Sequence, residues 1–121
     1  MKILIVDNSQ IINERLKAMI SEAYSPAIIY QATSYDEAIK LLLTESKPDV
    51  VVLDVGLPAN MAADLLTVIK ALKNKTVVIV LSMSIDRLTW QKYTTAGADF
   101  FLDKYHEFGK VAGIINKISN D

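Results

Sequence analysis

Val50-Val51-Val52-Leu53-Asp54-Val55-Gly56-Leu57-Pro58 is the stretch on which the fold turns. Four consecutive apolar residues, three of them β-branched, predict a strand over Val50–Leu53. The run does not alternate, so it fits a parallel strand covered by helices on both faces. Asp54 stands just past it, and Gly56, Leu57 and Pro58 supply turn chemistry. The same pattern recurs outward in both directions, with further strands predicted over Ile3–Val6, Ile28–Gln31, Val77–Leu81 and Phe100–Leu102. Between the runs, apolar residues return every third or fourth position. Ile12, Leu16, Met19, Ile20 and Ala23 make one helical stripe, and Leu65, Val68, Ile69 and Leu72 make another. Val111, Ile114, Ile115 and Ile118 make a third. Ser34 with Glu37 reads as a capping box opening a helix over Tyr35–Glu45. Five strands alternating with five helices predict right-handed βαβ crossovers and a doubly wound α/β sheet. Periodicity leaves the strand order open, but either common order binds ligands beyond the carboxyl ends of the strands.

The whole-chain properties narrow the function classes. At 121 residues, one domain spanning 1–121 is expected, with no internal repeat or linker. A composition 51% hydrophobic and 22% charged is that of a folded globular chain rather than a disordered one. A net charge of −1 argues against direct nucleic-acid binding, which needs a basic face. The absence of cysteine excludes disulfides and thiolate metal sites, and a lone His106 excludes multi-histidine zinc sites. The apolar run Lys2–Val6 is too short for a signal peptide or a membrane span, so no membrane role and a cytoplasmic location are expected.

The residues just past the predicted strands form a polar set. Asp7 and Asn8 follow the first strand, Asp54 the third, Ser82 the fourth, and Asp103 with Lys104 the fifth; Ala32 and Thr33 after the second add little. Each alone has a plain structural use. Asp7, Asn8 or Ser9 can cap the first helix, Asp54 can open a turn, and Lys104 can be a solvated chain. Together they suggest chemistry. Two adjacent carboxylates repel unless a cation neutralises them. A hard ion such as Mg²⁺ takes oxygen ligands of the kind that Asp7, Asp54 and the Asn8 side chain offer. A carboxylate can attack phosphorus to give an aspartyl phosphate, with Lys104 and the metal stabilising charge on the phosphoryl oxygens and Ser82 donating a hydrogen bond.

Ile3-Leu4-Ile5-Val6-Asp7, Val51–Pro58, Ile79-Val80-Leu81-Ser82 and Ala96-Gly97-Ala98-Asp99 with Lys104 resemble the receiver domain of bacterial two-component response regulators (CheY-like) over essentially the whole chain. The resemblance implies a flavodoxin-like (βα)5 fold with a five-stranded parallel sheet in the order 2-1-3-4-5. It implies Asp54 as phosphoacceptor, with Asp7, Asn8, Asp54 and the Gly56 carbonyl holding Mg²⁺. Ser82 is the implied switch hydroxyl, Lys104 the implied phosphate-binding lysine and Phe101 the implied aromatic switch. A histidine kinase or phosphotransfer protein would be the phosphodonor, and a downstream protein the target. A phosphorylation-dependent dimer is compatible with it. Such a domain is not a classical enzyme, although it catalyses its own phosphorylation and dephosphorylation.

Several positions depart from the family's common pattern. Asn8 replaces the second acid, which predicts weaker Mg²⁺ binding. Tyr105 replaces the proline that often follows the lysine, so a trans bond is expected, because a non-proline cis bond costs about 2.5–4 kcal/mol. The run Ala59-Asn60-Met61-Ala62-Ala63 lacks the glycine often found there, and Met83 is larger than the usual alanine, narrowing access to Asp54. Asn8 supports an alternative, a degenerate receiver that binds a partner without phosphorylation; retention of Asp7, Asp54, Ser82 and Lys104 argues against it. A flavin or nucleotide carrier is disfavoured because Asp7-Asn8-Ser9-Gln10 puts a carboxylate where an anion would sit. The last helix runs nearly to Asp121, so a stand-alone receiver with a protein contact as output is expected. Trp90, Tyr93 and Phe108 are surface candidates, with core packing expected of at least one.

Overall fold

The structure is a computed structural model describing residues 1–24, 26–44, 47–57, 61–72 and 75–120. Its elements alternate as β1 (Lys2–Val6), α1 (Gln10–Ala23), β2 (Ile28–Ala32), α2 (Tyr35–Thr44), β3 (Val50–Asp54), α3 (Met61–Leu72), β4 (Val77–Ser82), α4 (Arg87–Ala96), β5 (Phe100–Asp103) and α5 (Lys110–Asn120). All strand pairings are parallel, and the sheet order is β2-β1-β3-β4-β5. The fold is the α/β flavodoxin-like one that the resemblance implies.

The continuous apolar runs serve two core layers. Ile3, Ile5, Val50, Val52, Ile79 and Leu81 face Leu16 and Ile20 of α1 and Val111 and Ile115 of α5. Leu4, Val6, Val51, Leu53, Val78 and Val80 face Ala38 and Leu42 of α2, Leu65, Leu66 and Ile69 of α3, and Tyr93 of α4. Side chains alternate across a strand, so a strand buried on both sides must be apolar at every position. Each such side chain stabilises the fold by about 1.5–3 kcal/mol when fully buried.

Asp54, Ser82 and Asp103 close their strands rather than following them, because the ladder runs one residue further than the apolar pattern. Val55 N–H donates to Leu81 O at 3.0 Å, and Lys104 N–H donates to Ser82 O at 2.8 Å. In register, Asp54 pairs with Leu81 and Ser82 with Asp103. Backbone pairing therefore fixes where the polar side chains emerge.

Two helical stripes differ from expectation at their ends. Ala23 and Leu72 occupy the last turns of α1 and α3 and are exposed, while Ala62 and Leu66 join the core. Ser34 Oγ accepts from Glu37 N–H at 3.1 Å, as in a capping box, but the Glu37 carboxylate takes Thr33 N–H and Oγ1 at 2.8 and 2.6 Å instead of the Ser34 amide. Helix α2 is described to Thr44; Glu45, Pro58, Ala59 and Asn60 lie outside the described residues.

Asn13 is buried in α1 at 1% exposure, which the apolar stripe did not suggest. Its amide donates to Ala32 O at 2.9 Å and more weakly to Asp7 O at 3.4 Å, and its oxygen accepts from Gln31 at 2.9 Å. It thus ties α1 to the carboxyl ends of β1 and β2. Asn13→Ala is expected to lower stability by about 1–2 kcal/mol, since buried partners lose hydrogen bonds. The shift of the urea midpoint measures it.

Candidate functional site

Asp7, Asp54, Ser82 and Lys104 meet at the carboxyl edge of β1, β3, β4 and β5. Lys104 Nζ lies 2.9 Å from Asp7 Oδ2 and 3.1 Å from Asp54 Oδ1. Its side chain is only 10% exposed, against 1% for Asp7 and 3% for Asp54. The plain reading of Lys104 as a solvated chain is therefore wrong. Ser9, not Asp7 or Asn8, is the N-cap of α1; its hydroxyl accepts from Ile12 N–H at 3.3 Å. Asp7 Oδ1 instead takes Ser9 N–H at 2.9 Å, and Asp54 Oδ1 takes Gly56 N–H at 3.0 Å. Asp54 is thus a turn residue as well as a site residue.

One ammonium serves two carboxylates. Burial raises the pKa of Asp7 and the Asp54 charge adds to it, while Lys104 and the Ser9 amide pull it back. Burial also pushes Lys104 down, but its close ion-pair contact with Asp7 and the charges of both carboxylates outweigh it and raise the ammonium pKa. Lys104 stays charged. Buried Asp7 Oδ2 has no hydrogen-bond partner and rests on the ion pair with Lys104 alone. A Cβ on Gly56 would lie 3.0 Å from Asp54 Oδ2, so the glycine keeps that face open. Among the described residues no cluster of three or more His, Cys, Asp or Glu side chains is available for a metal. Mg²⁺ needs only one or two carboxylates besides other oxygens, and this set offers two, one with an unsatisfied buried oxygen. The donors fit that ion. Asn8 is exposed at the rim and brings no charge.

Ser82 Oγ donates to Ser84 O at 2.5 Å and accepts from Ser84 N–H at 3.1 Å. Met83 is 65% exposed, and its sulfur accepts from Tyr105 Oη at 3.2 Å, linking the loops after β4 and β5. The Lys104–Tyr105 bond is trans, as expected without proline. Asp103 organises the loop after β5, taking Tyr105 N–H at 2.8 Å, His106 N–H at 3.0 Å and the His106 ring at 3.0 Å. That hydrogen bond and the Asp103 charge raise the His106 pKa above its ordinary 6.5. The stabilising pair is complete below about pH 6.5 and is lost as pH rises through the raised value. His106 is expected to titrate above the ordinary value by NMR, and Asp103→Asn to bring it back down.

Phe101 is half-buried and stacks on Tyr93, ring centroids 6.3 Å apart and planes at 25°. Of the three aromatic surface candidates, Tyr93 is core, Phe108 is half-buried beneath the Arg15 guanidinium, and Trp90 is 48% exposed. Reading along the sequence missed Ser84 and Asp86 in the loop after β4. Asp86 caps α4, accepting from Thr89 N–H at 2.9 Å, and an acid three residues before a threonine at a helix start was the available signal.

The chain matches the response regulator receiver domain family over residues 3–116. It is 26% identical over 107 residues to the sensory transduction protein LytT of Bacillus cereus, covering 88% of this chain and 43% of that protein. It is also 26% identical to the LytT of Enterococcus faecalis, covering 100% of this chain and 49% of that protein. The chain thus spans less than half the length of these relatives. The crystal structure of the signal receiver domain of a DNA binding response regulator from Colwellia psychrerythraea superposes with a TM-score of 0.90 at 22% identity, covering 100% of this chain and 99% of that one. The α/β sheet in the order 2-1-3-4-5 is the fold shared with that solved receiver domain. The chain belongs to the response regulator receiver family, a class of two-component signalling domain. Among the described residues no helix is long and apolar enough to cross a membrane.

Proposed function

We propose that residues 1–121 form a phosphoacceptor receiver, in which Asp54 takes a phosphoryl group from a histidine kinase or phosphotransfer protein and thereby switches a protein-binding surface. The observation that carries this reading is the Lys104 ammonium held between two nearly inaccessible carboxylates at 2.9 and 3.1 Å. Such a lysine is poised for the charge that phosphorylation brings, about −1.5 to −2. The Asp54 carboxylate attacks phosphorus, the phosphorus–nitrogen bond of the donor breaks, and the electron pair leaves with that nitrogen. Lys104 then bonds a phosphoryl oxygen and Ser82 donates to another. Asp7, Asp54, the Gly56 carbonyl and Asn8 would hold Mg²⁺, which when bound supplies further positive charge to those oxygens. Phe101 of β5, stacked on Tyr93 of α4, passes the change to the α4–β5–α5 side, where a downstream protein or a second phosphorylated copy binds. A cytoplasmic location goes with this reading. The degenerate alternative rests on Asn8 alone and draws no support from the comparisons.

Incubation with Mg²⁺ and phosphoramidate, followed by intact-mass measurement, tests the proposal. One added phosphoryl group is expected on the wild type and none on Asp54→Asn. An unlabelled wild type, beside a control receiver that labels fully, would sink it.

A further inference from the structure

The Ser82 hydroxyl is engaged, and its partners lead to a helix end. It gives its single proton to Ser84 O at 2.5 Å and accepts from Ser84 N–H at 3.1 Å. The Ser84 hydroxyl in turn donates to Asp86 Oδ2 in a short hydrogen bond. Asp86 Oδ1 accepts from Thr89 N–H at 2.9 Å, and its Oδ2 accepts from Thr89 Oγ1 at 2.9 Å. Asp86 is the N-cap of α4, with extended backbone at φ −63° and ψ 159°. An unbroken series of hydrogen bonds therefore runs from the last residue of β4 to the first turn of α4.

A serine hydroxyl carries one proton. It cannot donate to Ser84 O and to a phosphoryl oxygen at once. Building on the phosphoacceptor reading above, we propose that Ser84 and Asp86 are positioning residues that hold the Ser82 hydroxyl withdrawn, so that the N-terminus of α4 and a phosphoryl group on Asp54 compete for it. Capture of the hydroxyl by phosphate breaks both bonds to Ser84. Ser84 is exposed, so its freed carbonyl and amide turn to water, and the loop is released from the cap. The Ser84 hydroxyl first, and then Thr89, hold the Asp86 carboxyl at about 2. The cap stays ionised across the neutral range, and the hold does not weaken with ordinary changes of pH. Met83, Ile85 and Leu88 around this loop are all exposed, so its movement gives up little buried apolar area, and the Tyr105 Oη bond to the Met83 sulfur is the contact that must yield with it.

Two substitutions cut the series without removing the helix cap. Ser84→Ala deletes the hydroxyl that reaches Asp86. Asp86→Asn keeps an oxygen for Thr89 N–H, and asparagine caps helices as well as aspartate, but its amide nitrogen cannot accept from Ser84. Each is expected to speed phosphorylation by phosphoramidate with Mg²⁺ about fivefold, equivalent to about 1 kcal/mol of barrier. The discriminating measurement is the double-mutant cycle with Ser82→Ala, read as the rate of mass gain. Ser82→Ala/Ser84→Ala is expected to react at the rate of Ser82→Ala alone, because no hydroxyl remains to be held. A Ser84→Ala rate equal to wild type overturns the proposal, as does an equal gain in both backgrounds, which would mark Ser84 as a general loop residue. Those results leave the phosphoacceptor reading standing; failure of the wild type to label removes both.

Discussion

Lys104→Met is expected to destabilise the metal-free protein by about 2–3 kcal/mol at pH 7, a fall of about 10 °C in Tm for a domain of this size. The substitution leaves Asp7 and Asp54, 1% and 3% exposed, facing each other without their shared ammonium. Removing one partner of a buried pair costs about 3–5 kcal/mol. The lower figure applies because one carboxylate can take up a proton instead of remaining charged, and Asp7 is already displaced in that direction by burial. The sign of the pH dependence follows. A carboxyl whose folded pKa lies above its unfolded value contributes stability that is complete below about pH 4 and is lost as pH rises through the folded value. The gap between Lys104→Met and wild type is therefore expected to narrow from pH 7 to pH 5, as urea midpoints at the two values would report. A gap that stays constant would mean that Lys104 stabilises by packing its aliphatic stem and not by neutralising the pair.

That dependence on one lysine was only partly legible beforehand. The strands were, because Val50–Leu53 and Val77–Leu81 are β-branched runs that suit a sheet covered on both faces. Their final residues were not, because Asp54 and Ser82 look like loop residues by polarity and are held in the ladder by backbone bonds from Val55 and Lys104. Helix α4 shows no apolar stripe, and Tyr93 is its one buried residue. Its limits are set by the Asp86 cap and by Gly97, whose φ of 117° is the left-handed conformation that glycine adopts most easily.

The site divides along the same line. Asp7, Asp54, Ser82 and Lys104 were readable because a parallel sheet delivers every carboxyl strand end to one edge. Whether Lys104 reaches both carboxylates depends on the loop after β5, where Asp103 gathers Tyr105 and His106, and no periodicity encodes that. Asp86 as a helix cap had a local signal, but its link through Ser84 to Ser82 did not, because those bonds join a strand end to a helix cap across a loop. Asn13 was hidden by its polarity, since only the tertiary position of Ala32 O and Gln31 makes its burial tolerable.

Asp7→Asn is expected to separate stability from function, raising the metal-free Tm by about 3–5 °C while weakening Mg²⁺ binding at least about 100-fold and abolishing Mg²⁺-dependent phosphorylation. Both effects follow from counting charges. Asp7, Asp54 and Lys104 sum to one negative charge in a nearly inaccessible site. In the Asp7→Asn variant the remaining Lys104–Asp54 pair is neutral, the burial cost of the Asp7 carboxylate disappears, and the new amide oxygen can still accept from Ser9 N–H. On the phosphoacceptor reading proposed above, the metal would lose one of only two carboxylates. Asn8 offers none to replace it, and loss even of groups that merely orient metal ligands weakens binding by about 10–100-fold. Scanning fluorimetry with and without Mg²⁺ reads both quantities in one experiment. A fall in the metal-free Tm would show that the Asp7 carboxylate is a net stabiliser through Lys104, contrary to the burial argument. Asn8→Asp supplies the opposite displacement: an added carboxylate at the rim is expected to tighten Mg²⁺ and lower the metal-free Tm. The Asn8 change should be the smaller of the two in stability, because Asn8 is exposed and water screens the new charge. Movement of both variants in the same direction would exclude site charge as the quantity that sets the balance.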